Sequence, residues 1–409
     1  MYRKILLWIL ALIFSVSWGI AQQVRTGSKQ NATDGKQSQI LTLVTSFGDE
    51  NLPSEYLLAY PLSMQVNTAG NIYVFDEQKI KVYNPNGKPK CIIGGPGEGP
   101  GEFGKYPNVL RIAPNDFLTT NIDYIYNIFK PDNTLVKKSN IKFNTIFNDF
   151  INNNNFELFD IDRILALNEN TLVVECTLGN SSVVKSGMRI EGLVYLTDKD
   201  AHFITKSEVL WGREGGWVWV HWSLINESTI VYSSSNFILD KNIQNTNQPE
   251  YILTLSDIAR AKKREIRQKY QPVALPDSIK EKIEQIIDLD KKMMSNQMFV
   301  LGAGGIESLT GMMQTYEKIK NFGQFAPVQK IRTDGTYIFV FTYKTNKNGE
   351  IFTDVFDAQV DKYITSVYFP FIPLVIKNGY AYSFNDFETN KSLYPKVEKY
   401  TIDHSVYGK

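Results

Sequence analysis

Four tryptophans stand within twelve residues of one another and form the most distinctive candidate binding segment of the chain. Trp211, Trp217, Trp219 and Trp222 occur there together with Arg213 and three glycines. Large rigid rings desolvate well at low entropic cost, and Trp and Arg are enriched at the centres of binding interfaces. The segment therefore predicts contact with a protein, peptide or carbohydrate ligand through Trp211, Arg213, Trp217 and Trp219. Burial of the same rings inside a β-sheet is the alternative that the sequence leaves open.

Metal-binding and catalytic residues are sparse. A zinc site takes about three His or Cys ligands, and the three histidines of the chain, His202, His221 and His404, are scattered in sequence. Calcium tolerates varied oxygen ligands, so the sequence does not exclude it. The carboxylates that could contribute are Asp76, Asp123, Asp162 and Glu175. We predict no catalytic residue, no metal and no cofactor, with calcium left open.

A glycine-rich segment matches two nucleotide-binding signatures by spacing alone. Gly99, Gly101 and Gly104 fit the dinucleotide fingerprint, and the run to Lys105 fits a phosphate loop until Tyr106 replaces the required Ser or Thr. Both motifs need a helix that begins at the phosphates, whereas the next segment reads as a strand. With 44 basic and 43 acidic side chains the chain also lacks the basic excess of nucleic-acid-binding proteins. We therefore predict neither a nucleotide nor a nucleic-acid partner.

The elements that must position these residues form a degenerate repeat. Each copy has a polar turn, a strand, a gap and a second strand, most clearly in Ile72–Phe75 with Ile80–Tyr83. The six copies pair segments 68–75 with 80–83, 114–119 with 128–133, 168–174 with 194–199, 226–232 with 251–253, 333–340 with 354–357 and 377–382 with 398–403. Radial packing buries the two apolar faces of such sheets and leaves only short edges. The pattern predicts an all-β fold, a six-bladed β-propeller.

A strand that precedes the first copy has no partner within the repeat. Ile40–Val44 is predicted to close the ring by joining the sixth blade, whose C-terminal part is short. A β-sandwich is the alternative, and it does not require sixfold repetition.

One segment departs from the β pattern. From Ser256 to Tyr270 the chain is dominated by Ala, Lys, Arg, Glu and Gln, which favours helix. Beyond two prolines, one face of an amphipathic helix is formed by Ile279, Ile283, Ile286 and Ile287. We predict a short α-helical insertion at about 256–300, between blades 4 and 5.

The N-terminal residues indicate export. Arg3 and Lys4 precede an apolar run, and Gly19 and Ala21 fit a signal-peptidase site. The predicted organisation is a signal peptide at 1–21, a polar linker at 22–39 and the propeller at 40–409. We expect a periplasmic or extracellular protein with no transmembrane span after cleavage. The alternative is that the run is retained as an anchor, because it nearly reaches the roughly 20 residues that span a bilayer.

The glycine-rich segment resembles the connector between blades in NHL-repeat-like six-bladed propellers, extracytoplasmic proteins with the TolB-like propeller fold. The residues that carry the resemblance are Gly97, Gly99, Pro100, Gly101, Glu102 and Phe103, followed by Pro107. The resemblance implies glycines in tight turns and Phe103 buried between two blades. The resemblance covers residues 56–135 and 255–403, and it is weak over residues 140–250.

The predicted function is that of an exported, non-catalytic module that binds a ligand or a protein. It depends on the tryptophan cluster and on the lack of a recognisable catalytic constellation. Related six-bladed propellers include calcium-dependent lactonases and zinc-dependent lyases. A metal-dependent hydrolase or lyase with its site in the axial channel is therefore the alternative.

Overall fold

In the computed structural model, the strands of the described residues form six four-stranded antiparallel sheets, the blades of a propeller. The structure describes residues 40–103, 109–180, 188–210, 220–234, 249–260, 262–295, 303–385 and 394–409. In blades 1 to 5 every strand pairs with its neighbour in sequence, so each of these blades is a simple meander. The predicted six-bladed β-propeller is confirmed. The predicted signal peptide at 1–21 and the linker at 22–39 lie outside the described residues.

The strands of each blade are given from the axis outwards, which is chain order in blades 1 to 5, whereas blade 6 has β1 as its outermost strand. Blade 1 consists of β2 (Ser63–Val66), β3 (Ile72–Asp76), β4 (Lys79–Tyr83) and β5 (Pro89–Ile93). Blade 2 consists of β6 (Val109–Ile112), β7 (Leu118–Ile122), β8 (Ile125–Phe129) and β9 (Leu135–Asn140). Blade 3 consists of β10 (Glu157–Ala166), β11 (Leu172–Gly179), β12 (Met188–Leu196) and β13 (Ala201–Leu210). Blade 4 consists of β14 (Val220–Leu224), β15 (Thr229–Ser234), β16 (Glu250–Asp257) and β17 (Lys263–Lys269). Blade 5 consists of β18 (Lys330–Asp334), β19 (Tyr337–Thr345), β20 (Ile351–Asp357) and β21 (Lys362–Phe369). Blade 6 consists of β22 (Val375–Lys377), β23 (Tyr380–Phe384), β24 (Val397–Ile402) and β1 (Leu41–Phe47).

Three α-helices interrupt the strands that the structure describes. Helix α1 (Thr145–Asn153) lies between blades 2 and 3 and was not predicted, while α2 (Asp277–Ser295) and α3 (Ala303–Phe322) lie between blades 4 and 5. The helical insertion between blades 4 and 5 is therefore confirmed, but it begins and ends later than 256–300. Short 3₁₀ turns occupy 54–56, 141–143 and 404–407. None of the described helices is long and apolar enough to cross a membrane.

The prediction that 256–270 is helical is wrong, because this segment contains the outermost strand of blade 4. Strand β17 pairs antiparallel with β16, with Ile266 opposite Leu253. Ile266 is the buried residue of β17, and Lys263, Arg264 and Glu265 are exposed. An outermost strand faces solvent along much of its length, so a charged sequence is tolerated there and strand pairing overrides helix propensity.

The hydrophobic core is divided among the blade interfaces. Six buried clusters each join two neighbouring blades, and a seventh joins α2 to α3. Between blades 1 and 2, Phe103 packs edge-on against Phe75 at 5.7 Å and Phe129 at 6.2 Å. Gly94 lies beneath this ring with φ +69°, and an added Cβ would come within 2.6 Å of the Gly101 carbonyl oxygen. The connector therefore requires glycine where it turns under Phe103.

The ring closes through β1, which is the outer strand of blade 6. It pairs antiparallel with β24, from Leu41 opposite Ile402 to Phe47 opposite Val397, so the predicted closure is confirmed. Phe47 extends the closure to blade 1, because its ring packs on Tyr83 at 4.8 Å. The first and last parts of the chain are thus joined both by backbone pairing and by a shared apolar cluster.

Replacement of Phe47 by Ala should destabilise the protein by about 3–5 kcal/mol, because it opens a cavity at the junction of blades 6 and 1. Phe143→Ala is the matched control, since that ring is 83% exposed, and it should change the free energy of unfolding by less than about 0.5 kcal/mol. Urea denaturation measures both. Equal effects would contradict the assigned role of Phe47 in closure.

Candidate functional site

The first strands of the blades surround an axial cavity. Strands β22, β2, β6 and β10 contact one another in turn, as do β14, β18 and β22. The cavity has a volume of about 210 Å³, which is smaller than the roughly 300–1,000 Å³ of pockets for drug-sized ligands. All six inner strands contribute to its wall. The polar residues that line it are Gln65, Arg111, Arg163, Ser223, Lys330, Arg332, Thr333 and Lys377.

Four cations of this wall have no carboxylate partner among the described residues: Arg111, Lys330, Arg332 and Lys377. Arg111 donates from Nη1 to the Leu110 carbonyl oxygen at 2.7 Å, and Arg332 donates from Nε to the Pro373 carbonyl oxygen at 2.9 Å. Lys330 is two residues before Arg332 on β18, so strand alternation places both side chains on the same face. Each guanidinium has five N–H donors, and the bonds to carbonyls leave several of them available to a ligand. We call Arg111, Lys330 and Arg332 the cation cluster.

Burial and mutual repulsion act on the protonation of the cluster. Burial, followed by the charges of Arg332, Arg163 and Arg111, lowers the pKa of Lys330 to about 7. Burial and the charges of Arg163 and Arg332 lower the pKa of Arg111, and burial and the charge of Arg163 lower the pKa of Arg332, although guanidinium groups remain protonated at pH 7. The cavity therefore holds at least two uncompensated positive charges at neutral pH.

Arg163 differs from the cluster because it is paired. It donates from Nη2 to Glu175 Oε1 at 2.5 Å and from Nε to Oε2, a bidentate ion pair, and it lies 4.8 Å above the ring of Trp222. Burial alone would raise the pKa of Glu175, but the charge and hydrogen bonds of Arg163 outweigh it and lower this pKa. Arg163 is thus held in the wall by a buried carboxylate.

Two further titratable groups near the cavity are held neutral. Burial and the adjacent Glu175 carboxylate raise the pKa of Glu191, which accepts a hydrogen bond from the Val220 amide at 2.8 Å. Burial and the charge of Lys330 lower the pKa of His221 to about 3. Neither group offsets the positive charge of the cluster at pH 7. The arrangement is suited to holding an anion, since charged donors in a partly buried site make short, strong hydrogen bonds.

The predicted tryptophan contacts cannot be placed beside this cavity. Trp211, Arg213, Trp217 and Trp219 lie outside the described residues, so that site stays a prediction. Trp222, the last of the cluster, is buried in β14 and belongs to the cavity wall.

The predicted blade connector lies away from the axis, between β5 and β6. Gly97 and Gly101 have positive φ angles of +147° and +79°. The amide of Gly99 donates to Glu102 Oε2 at 2.6 Å, and Pro100 stands within this turn. Pro107 lies outside the described residues.

The carboxylates considered for calcium are dispersed or already bonded. Asp76 accepts hydrogen bonds from Lys81 at 2.7 Å and from the Ala59 amide at 3.0 Å, and Asp162 accepts one from Thr177 at 3.0 Å. Asp123 stands at the β7–β8 turn with φ +47°. The described residues contain no group of three or more His, Cys, Asp or Glu side chains arranged to hold a metal ion. His202 lies in β13, His221 in β14 and His404 in the last 3₁₀ turn.

Sequence reasoning missed the cation cluster. Its residues are on the first strands of their blades, which are four or five residues long in β6 and β18. A signal was present: a basic residue adjoins a buried aliphatic one in Leu110-Arg111 and in Lys330-Ile331-Arg332, shortly before the turn of each blade. Superposition of the repeats on their turns would have brought these basic residues together.

Among the comparisons with known proteins, only the comparison with solved structures found similar proteins. No protein-family model matches the chain, and no curated protein matches it. A candidate exported protein from Bacteroides fragilis has 10% identity and a TM-score of 0.45, with 91% of this chain and 98% of that chain covered. The Pan2 WD40 domain of Neurospora crassa has 6% identity and a TM-score of 0.37, with 90% and 96% covered. The β-propeller domain of the Trilobed protease from Pyrococcus furiosus has 9% identity and a TM-score of 0.33, with 80% and 79% covered.

Replacement of Glu175 by Gln should destabilise the protein by about 3 kcal/mol, because it leaves the Arg163 charge uncompensated beside three other cations. The double variant Glu175→Gln/Arg163→Met should recover most of the loss, since it removes the orphaned charge. Chemical denaturation at pH 7 tests this. A double variant as unstable as Glu175→Gln would show that the ion pair is not the cause.

Replacement of Lys330 by Met should stabilise the folded protein near pH 7 by about 1–2 kcal/mol, because it removes a cation from a repulsive cluster. The folded-state pKa of about 7 lies below the ordinary lysine value of 10.5. Between these two pH values the unfolded state binds more protons, so the contribution of Lys330 to stability rises with pH. The advantage of Lys330→Met over the wild type should therefore shrink towards pH 10. Lys362→Met, at an exposed position of β21, is the control, and a constant difference across this range would contradict the assignment.

Proposed function

We propose that this protein is an exported, non-catalytic binding module whose axial cavity holds a small anion. The observation that carries the proposal is the cation cluster, in which Arg111, Lys330 and Arg332 have no carboxylate partner among the described residues, and the pKa of each is lowered by burial and by the charges of neighbouring arginines. A buried charge is normally paired or shifted towards neutrality. An anionic ligand would supply the missing partner and relieve this repulsion.

The volume of the cavity and its hydrogen-bond donors restrict the class of ligand that it can hold. A volume of about 210 Å³ suits a compact ligand such as a phosphate or a di- or tricarboxylate. Arginine presents a planar fork of donors that matches carboxylate and phosphate oxygens in bidentate fashion. Gln65, Ser223 and Thr333 add neutral donors to the same wall, which suits a ligand that also has hydroxyl or carbonyl groups.

The sequence supports the remaining parts of the proposal. The signal-like residues 1–21 support export, and the connector from Gly97 to Phe103 supports membership among NHL-like propellers. The tryptophan segment precedes β14 directly in sequence, and β14 lines the cavity. A ligand contact by Trp217 or Trp219 is therefore part of the proposal.

Arg332→Ala should weaken anion binding by at least about tenfold, because a hydrogen bond to a charged group contributes about 1.5–3 kcal/mol. Isothermal titration of the full chain with inorganic phosphate, and separately with citrate, measures this. Arg267→Ala, which removes an exposed arginine of β17, is the matched control and should bind as the wild type does. The proposal fails if neither anion binds the wild type, or if Arg332→Ala binds with unchanged affinity.

A further inference from the structure

Lys330 is a primary amine placed among guanidinium groups in a partly enclosed cavity. It stands on β18 with Arg332 two residues away on the same face, and Ile331 between them is buried in the interface of blades 4 and 5. This packing fixes the strand and aims Lys330 and Arg332 away from that interface. The Nζ atom of Lys330 has no hydrogen bond or ion pair among the described residues, so its amine is available to a molecule in the cavity.

The charged groups that face Lys330 come from several blades. Arg332 on its own strand, Arg163 on β10 and Arg111 on β6 oppose its protonation, and Glu175 on β11 favours it. Neutral His221 on β14 also faces it, and Lys377 on β22 lines the same cavity. The charged and titratable groups that face Lys330 are therefore Arg111, Arg163, Glu175, His221, Arg332 and Lys377. Four of them are cations and one is an anion, so their charges lower the pKa of Lys330, and burial lowers it further.

An amine in this environment is a nucleophile at neutral pH. Because its pKa is lowered to about 7, Lys330 has a far larger fraction of free amine at pH 7 than an ordinary lysine, whose pKa is about 10.4. Lysines activated by burial or by an adjacent cation are the ones that form imines with carbonyl compounds.

We propose that Lys330 forms a reversible imine with an anionic carbonyl compound, either a 2-oxo acid or a phosphorylated aldehyde, whose anionic group is held by Arg111 and Arg332. The inference rests on the proposed anion site and adds a covalent step to it. The lone pair of Nζ attacks the carbonyl carbon while the C=O π pair moves to oxygen. Proton transfer from nitrogen to oxygen and loss of water then give the C=N bond. One amine and one carbonyl yield one imine and one water, and nothing is oxidised or reduced.

Borohydride trapping tests the inference on the full chain. The protein is incubated at pH 7 with pyridoxal 5′-phosphate or with pyruvate and reduced with borohydride, and the modified lysine is located by peptide mass spectrometry. Lys330 should be modified at concentrations at least tenfold below those that modify exposed lysines, and added phosphate should suppress the reaction with pyridoxal phosphate. The pair of probes shows whether phosphate or carboxylate is the preferred anionic group.

Variants separate the covalent step from anion binding. Lys330→Arg keeps the positive charge without a nucleophilic amine, so it should bind phosphate and give no adduct at position 330. Lys362→Arg, at an exposed position of β21 away from the cavity wall, should leave the adduct at Lys330 unchanged. Arg332→Ala should reduce the yield at Lys330 by at least about tenfold.

The possible failures are distinguishable. If the wild type binds phosphate through Arg332 but both probes modify lysines only in proportion to exposure, the imine inference is wrong and the anion site stands. If phosphate does not bind and no adduct forms at Lys330, both are wrong. The pH dependence adds a check, since labelling of Lys330 should be half-maximal near pH 7 and that of exposed lysines well above pH 9.

Discussion

The structure depends on one constraint: a four-stranded sheet with two apolar faces must have both faces covered. Each blade interface holds its own buried cluster, and no single blade could bury its faces alone. The pairing of β1 with β24 satisfies the constraint for the first and last blades together. Since the ring closes only when that pairing forms, every inner strand reaches the axis as a consequence of contacts made at the periphery. The geometry of the cavity is therefore fixed by residues such as Phe47 that lie far from it.

Convergence of the inner strands has an electrostatic consequence. Basic residues that stand far apart along the chain, such as Arg111 and Lys330, face a common space where water is limited and repulsion is poorly screened. Their lowered pKa values show that the folded state opposes their charge. A chain selected for stability alone would place apolar residues there, so the cluster fits the general observation that functional sites depart from the rules that stabilise the rest of the fold.

Much of the fold could be predicted, and the part that could not has a physical explanation. The six predicted segment pairs are the second and third strands of their blades, for example Ile72–Asp76 and Lys79–Tyr83, which are covered on both sides and have clear turns. Except for the ten-residue β10, the first strands have three to five residues, and last strands such as β17 are largely exposed, so neither kind has a strong pattern; this is why Lys263–Lys269 resembled a helix. The cation cluster was missed for the same reason, because it lies on first strands whose proximity exists only after closure. Asn144 is the N-cap of helix α1, and its side chain accepts a hydrogen bond from the Phe147 amide at 2.9 Å. The sequence contains this capping residue, but the run of four asparagines at 152–155 interrupted the pattern from which the helix could have been recognised.

The pairing of Arg163 bears on the charge of the ligand. Glu175 compensates Arg163, and Glu191 stays neutral beside that carboxylate, so blade 3 contributes almost no net charge to the cavity. Arg111 and Arg332 each contribute a full charge, and Lys330, with a pKa lowered to about 7, contributes part of one near pH 7. A monoanion would leave more than one charge uncompensated, whereas a dianion would compensate both guanidinium groups. Binding of a dianion would also reduce the repulsion that keeps Lys330 deprotonated, and would shift its pKa upwards. The occupied cavity should therefore take up a fraction of a proton, which distinguishes an anion held at this cluster from one bound to the outer surface.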